Sequence, residues 1–103
     1  MFENKTEEER VLMVAVADGT PGSSFEEVKK SLAELSELVK TAGGVTVGEV
    51  IQNREARHPG TYIGKGQIEE VREEIARTEA DAVVTDDELS PAQMKNLEDA
   101  LGI

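Results

Sequence analysis

The sequence predicts an α/β domain built on a small parallel or mostly parallel sheet with flanking helices, and three observations carry that prediction. Val11 to Ala17 is apolar on consecutive residues, as expected of a strand covered on both faces. Strand-like and helix-like stretches then alternate, the pattern of βαβ units with crossover connections. Turn or capping residues mark the boundaries: Asp18-Gly19-Thr20-Pro21-Gly22, Gly43-Gly44, the stretch from His58 to Gly66, and Ser90-Pro91.

Taken in order, residues 1–9 read as a short charged leader and residues 10–103 as one domain. The first strand, Val11 to Ala17, is expected at the sheet's centre. Ser23 or Ser24 caps the next helix, with Glu26 or Glu27 completing a capping box. Phe25, Val28, Leu32, Leu35, Leu38, Val39 and Ala42 then recur every three or four residues and define its apolar face. Gly43-Gly44 ends it. Val45 to Ile51 is a second, less buried strand interrupted by Gly48. After the loop from Gln52 to Gly66, residues 67–80 form a helix with Ile68, Val71 and Ile75 inward and an acidic first turn. Ala82 to Thr85 is a third strand. Ser90-Pro91-Ala92-Gln93 opens a last helix with an N-cap, proline at the first position and glutamine at the third; Met94, Leu97 and Leu101 face inward. Gly102-Ile103 reads as the approach to a fourth strand beyond this chain.

Composition narrows the function. Hydrophobic residues are 38% and aromatics 3%, so the core is aliphatic. Eleven Lys and Arg against 22 Asp and Glu give a net charge of −11, which repels nucleic acid at long range and argues against RNA binding by the whole surface. Between Gln52 and Gln67, however, Arg54, Arg57 and Lys65 oppose only Glu55, and any RNA contact is expected there. The absence of cysteine excludes disulfides and thiolate chemistry and suits a reducing cytoplasm. No apolar run approaches the roughly twenty residues of a membrane span.

The loop His58-Pro59-Gly60-Thr61-Tyr62-Ile63-Gly64-Lys65-Gly66 is the organising stretch, because it joins the two halves of the chain. Gly60, Gly64 and Gly66 suggest a shaped backbone with positive φ or close approach of a partner. A P-loop is not met: three residues separate Gly60 from Gly64 where four are needed, and Gly66 replaces the hydroxyl that ligates magnesium. His58 lacks a second histidine or cysteine for a metal site or a nucleophile–base pair. Tyr62 either stacks on a base or pins the loop to the core. In a parallel sheet Asp18 would share an edge with Asp86, Asp87 and Glu88, where they could hold magnesium or accept a phosphoryl group; the acidic run equally serves the following helix N-terminus.

Thr61-Tyr62-Ile63-Gly64-Lys65-Gly66, an acidic helix, then Asp86-Asp87-Glu88-Leu89-Ser90-Pro91-Ala92-Gln93 and Asn96-Leu97-Glu98 together resemble the amino-terminal domain of the HflX family of ribosome-associated GTPases. The match runs from about Leu32 to Ile103, and it departs at His58-Pro59-Gly60, where that family often has Asp-Pro-Ala. The resemblance implies a non-catalytic module that assists association with the large ribosomal subunit and ribosome splitting or rescue, with Arg54, Arg57, Tyr62 and Lys65 as candidate contacts. It also implies a further strand, a helical hairpin and a GTPase domain after Ile103, with GTP and magnesium belonging to that domain. The alternative is a small nucleotide-binding or phosphoacceptor domain that uses the Gly60 to Gly66 amides and the strand-end carboxylates.

Overall fold

A computed structural model describes residues 8–103 and shows six elements: β1 (Glu9–Ala17), α1 (Phe25–Thr41), β2 (Gly44–Asn53), α2 (Lys65–Thr78), β3 (Ala82–Val84) and α3 (Pro91–Leu101). β1 begins at Glu9, which pairs with Gly44; residues 1–7 of the expected leader lie outside the described residues. The sheet is parallel throughout, in the order β2-β1-β3. β1 is central, as its unbroken apolar run requires, and Val11 to Ala17 are all buried.

Alternate residues of β1 face opposite layers. Met13, Ala15 and Ala17 pack with Val28 and Leu32 of α1. On the other face Leu12, Val14 and Val16 meet Val71 of α2, Leu97 and Leu101 of α3, and Tyr62 and Ile63 of the long loop. The loop is thus part of the core. Fully burying such aliphatic side chains stabilises the fold by roughly 1.5–3 kcal/mol each, which is why one consecutive apolar strand can organise two layers.

The helix boundaries follow from their caps. Ser24 and Glu27 form the capping box of α1, and Ser90 and Gln93 that of α3, where Pro91 takes the first position. Gly43, at φ 95°, turns the chain out of α1 and into β2. Three expected positions of the apolar face prove outward: Phe25 is 44% and Leu38 66% exposed, and Ala42, the C-cap, is exposed as well, because the buried stripe of this helix narrows to Val28 and Leu32 with Leu35 beside them. The edge strand β2 is only half-buried and bulges between the pairs Val11–Thr46 and Leu12–Gly48, leaving Val47 unpaired. A side chain at position 48 would meet Leu12 Cδ1 at 3.2 Å, so the glycine marks a close approach of strand to core.

α2 begins two residues earlier than its periodicity suggests, at Lys65, so Glu69 and Glu70 fall beyond the first turn, which holds no acidic residue. Gly66 is therefore inside a helix. Neither Gly60, Gly64 nor Gly66 has positive φ; the left-handed residue of the loop is Tyr62, at φ 71°. This overturns the reading of the glycines as positive-φ positions. Nothing lies within 4 Å of a Cβ built on Gly66, so Gly66→Ala should raise stability by about 0.5 kcal/mol through the better helix former. Thermal unfolding checks it, and a lowered melting temperature would contradict it.

Candidate functional site

The order β2-β1-β3 means that the chain leaves β1 first to one side and later crosses to the other. In open α/β sheets ligands bind outside the strands' carboxyl ends at such a reversal. Here that position lies between Ala17 of β1 and Val84 of β3, and the long loop fills it.

The reason is local. β3 has three residues and its pairing to β1 stops at Met13–Val84, so Val16 has no strand partner on that side. Tyr62 and Arg57 supply one. The Tyr62 hydroxyl accepts from Val16 N at 3.1 Å, and Arg57 Nη2 donates to Val16 O at 3.0 Å. Two side chains thereby continue the ladder where the strand ends, satisfying a backbone amide and carbonyl that would otherwise be left unpaired beside the core.

Both side chains are held by the carboxylates expected at this edge. Tyr62 Oη donates to Asp87 Oδ2 at 2.6 Å and accepts from Thr85 Oγ1 at 2.9 Å. Arg57 spreads its fork over Asp87 Oδ2 through Nε at 3.0 Å, Asp18 Oδ2 through Nη1, and Ser23 Oγ through Nη2 at 3.1 Å. Burial, reinforced by the Asp87 carboxylate, pushes the Tyr62 phenol well above its ordinary value. Burial would depress the Arg57 guanidinium, but the Asp87 and Asp18 carboxylates outweigh it and leave it raised.

Hydrogen bonds from the Thr20 hydroxyl and amide hold Asp18 down to about 2, with Arg57 and Ser23 adding to them. Because the folded value lies below the ordinary 3.8, ionised Asp18 favours the fold above about pH 4, and that contribution is lost as pH falls through about 2. Asp18→Asn should therefore flatten the dependence of stability on pH between 4 and 2. Denaturant titrations at the two pH values check it; parallel curves for variant and wild type would contradict it.

The guanidinium of Arg57 stands in the gap between Asp18 and Asp87 that a cation would take. Among the described residues no group of three or more His, Asp or Glu has the geometry of a metal site. Asp86 stays apart, its Oδ1 buried without a hydrogen-bond partner. The loop amides do not form a phosphate cradle either. Gly60 N and Thr61 N donate to His58 Nδ1, Tyr62 N to His58 O, and Ile63 N to Thr61 O, so each is consumed inside the loop.

What remains available lies at the start of α2. Gly64 is its N-cap and contributes no side-chain cap, and Lys65 and Gly66 are exposed. Arg54 lies against Gly64, where an added Cβ would collide with its guanidinium; it donates to Ala56 O at 2.9 Å and only distantly, at 3.5 Å, to Gln67 Oε1. An open crevice of about 300 Å³ at the carboxyl ends of β1 and β2 adjoins it, lined by Ala17, Asp18, Gly19, Asn53, Arg54 and Glu55. Of the four sequence candidates for contact, then, Lys65 is exposed and Arg54 is half-buried against Gly64 with no carboxylate partner among the described residues, whereas Tyr62 is 1% exposed and Arg57 is committed to Asp18 and Asp87. Ser23 and Thr85 were not foreseen. A serine next to a helix start reads as a cap, and a threonine ending a strand carries no signal of its own.

Residues 29–103 match the family model described as GTP-binding GTPase N-terminal. The chain belongs to the HflX amino-terminal domain family. It is 57% identical over 101 residues to the GTPase HflX of Lacrimispora saccharolytica, covering 98% of this chain and 23% of that protein. It is 47% identical over 78 residues to the GTPase HflX of Alkalihalophilus pseudofirmus, 76% of this chain and 18% of that one. The Escherichia coli GTPase HflX is 38% identical over 69 residues, 67% of this chain and 16% of that protein. The chain thus spans less than a quarter of each of these three HflX proteins. The family model covers the Thr61 to Gly66 loop and the Asp86 to Gln93 segment, the two motifs on which the resemblance rests. No helix of the described residues is long and apolar enough to cross a membrane.

Proposed function

We propose that this chain is a non-catalytic amino-terminal module of an HflX GTPase, that it works in the cytoplasm, and that it helps its parent associate with the large ribosomal subunit. GTP and magnesium belong, in this reading, to the parent's GTPase domain, which is also the module's partner in the chain. One observation supports the site of contact: exposed Lys65 and half-buried Arg54, neither in an ion pair among the described residues, flank the start of α2, which has no side-chain cap, a local positive end on a chain of net charge −11. Backbone amides at a helix start and two cations suit a phosphate backbone. Arg57 is not part of that surface, because reversing it would break the fold's own ion pairs.

The test is co-sedimentation with isolated large subunits. Wild type should pellet at low salt and be released as salt rises, since only a few phosphates are neutralised. Arg54→Glu with Lys65→Glu should abolish pelleting while the circular dichroism spectrum stays unchanged. If the double variant pellets as wild type does, the contact lies elsewhere and the reading fails.

A further inference from the structure

We propose that His58 is a proton-operated latch on the turn from His58 to Tyr62. Its Nδ1 lies 3.0 Å from Gly60 N and 3.2 Å from Thr61 N. Both are N–H donors, so Nδ1 must carry a lone pair, and the ring proton belongs on Nε2. The next proton can then go only to Nδ1. Adding it sets one N–H against two others, so both hydrogen bonds break, and the new proton faces Thr61 Oγ1, 3.4 Å away and itself donating to Ile63 O, in their place. Aspartate or asparagine at this position closes a turn with a side-chain oxygen in the same way, but the histidine acceptor can itself take up a proton.

The surroundings carry the opening outward. The backbone of His58 makes both bonds of the bridge to Tyr62, N to O at 3.0 Å and O from N at 2.9 Å. Gln93 Nε2 donates to His58 O at 3.5 Å, and Asn96 Nδ2 to Gly60 O at 3.2 Å, so α3 grips the same turn. Of the charged groups, Arg57 is next in the chain but turned to Asp18 and Asp87, and the groups that reach the turn from α3, Gln93 and Asn96, are uncharged. His58 is half-buried, within reach of solvent protons. Acid therefore loosens this turn before it touches β1. The latch does not depend on what the loop meets.

Nuclear magnetic resonance tests it on the chain itself. At pH 8 the imidazole nitrogens should report a bare Nδ1 and a protonated Nε2. Between pH 8 and pH 5 the exchange protection of the Gly60 and Thr61 amides, corrected for intrinsic rates, should fall at least about fivefold, as losing a hydrogen bond implies, with β1 amides unchanged. His58→Asn, whose carbonyl accepts without titrating, should keep its protection at both pH values. A protonated Nδ1 at pH 8, equal wild-type protection at the two pH values, an equal loss in β1, or the same pH profile in His58→Asn would each overturn the proposal.

Discussion

Tyr62→Phe is expected to lower stability by about 2–3 kcal/mol, although it removes a single oxygen. That oxygen is the hub of three hydrogen bonds, to Val16 N, Thr85 Oγ1 and Asp87 Oδ2. Phenylalanine would leave the Val16 amide buried and unpaired at the point where β3 no longer runs beside β1. An unsatisfied buried donor costs the desolvation of the group and not merely the net worth of a bond, so the effect exceeds that of an ordinary surface change. The melting temperature should fall by about 10 °C for a domain of this size. A fall of only a degree or two would mean that water replaces the hydroxyl and that the tyrosine is held by its ring alone.

Arg57→Met should cost a similar amount, about 2 kcal/mol, for a different reason. Its side chain is 29% exposed and its carboxylate partners Asp18 and Asp87 are 16% and 32% exposed, so solvent screens part of the loss. What cannot be screened is the geometry. Removing the guanidinium leaves two carboxylates facing each other and the Val16 carbonyl without its donor. Arg57→Lys keeps the charge but cannot serve Asp18, Asp87, Val16 O and Ser23 Oγ from one planar fork, and it should recover less than half of the loss. Full recovery by lysine, read from urea unfolding midpoints, would show that charge alone matters.

The sheet was legible because a residue cannot hide on a central parallel strand: Val11 to Ala17 had to be apolar throughout, and Ser24 with Glu27 and Ser90 with Gln93 had to stand where they cap. The site was legible only as a list. Asp18 and Asp87 were placed on one edge, and Arg57 and Tyr62 in one loop, but that they meet depends on β3 ending at Val84. Strand length at an edge is set by tertiary pairing, which single-strand propensity does not contain. The same holds for the glycines. Tyr62 adopts the left-handed conformation that its glycine neighbours decline, since its buried ring and the paired backbone of His58 offset a strain of about 1 kcal/mol.

The proposed contact implies a division of labour, in which Arg57 holds the fold while Arg54, in the loop, and Lys65, at the start of α2, would meet the large subunit. The salt dependence of large-subunit binding separates the two roles most directly. Arg54→Gln and Lys65→Gln should each reduce the slope of log affinity against log salt by about 1, as the loss of one phosphate contact does, while Arg57→Gln in its folded fraction leaves that slope unchanged. A slope that is unmoved by Arg54→Gln and Lys65→Gln together, or that drops in Arg57→Gln alone, would contradict the account.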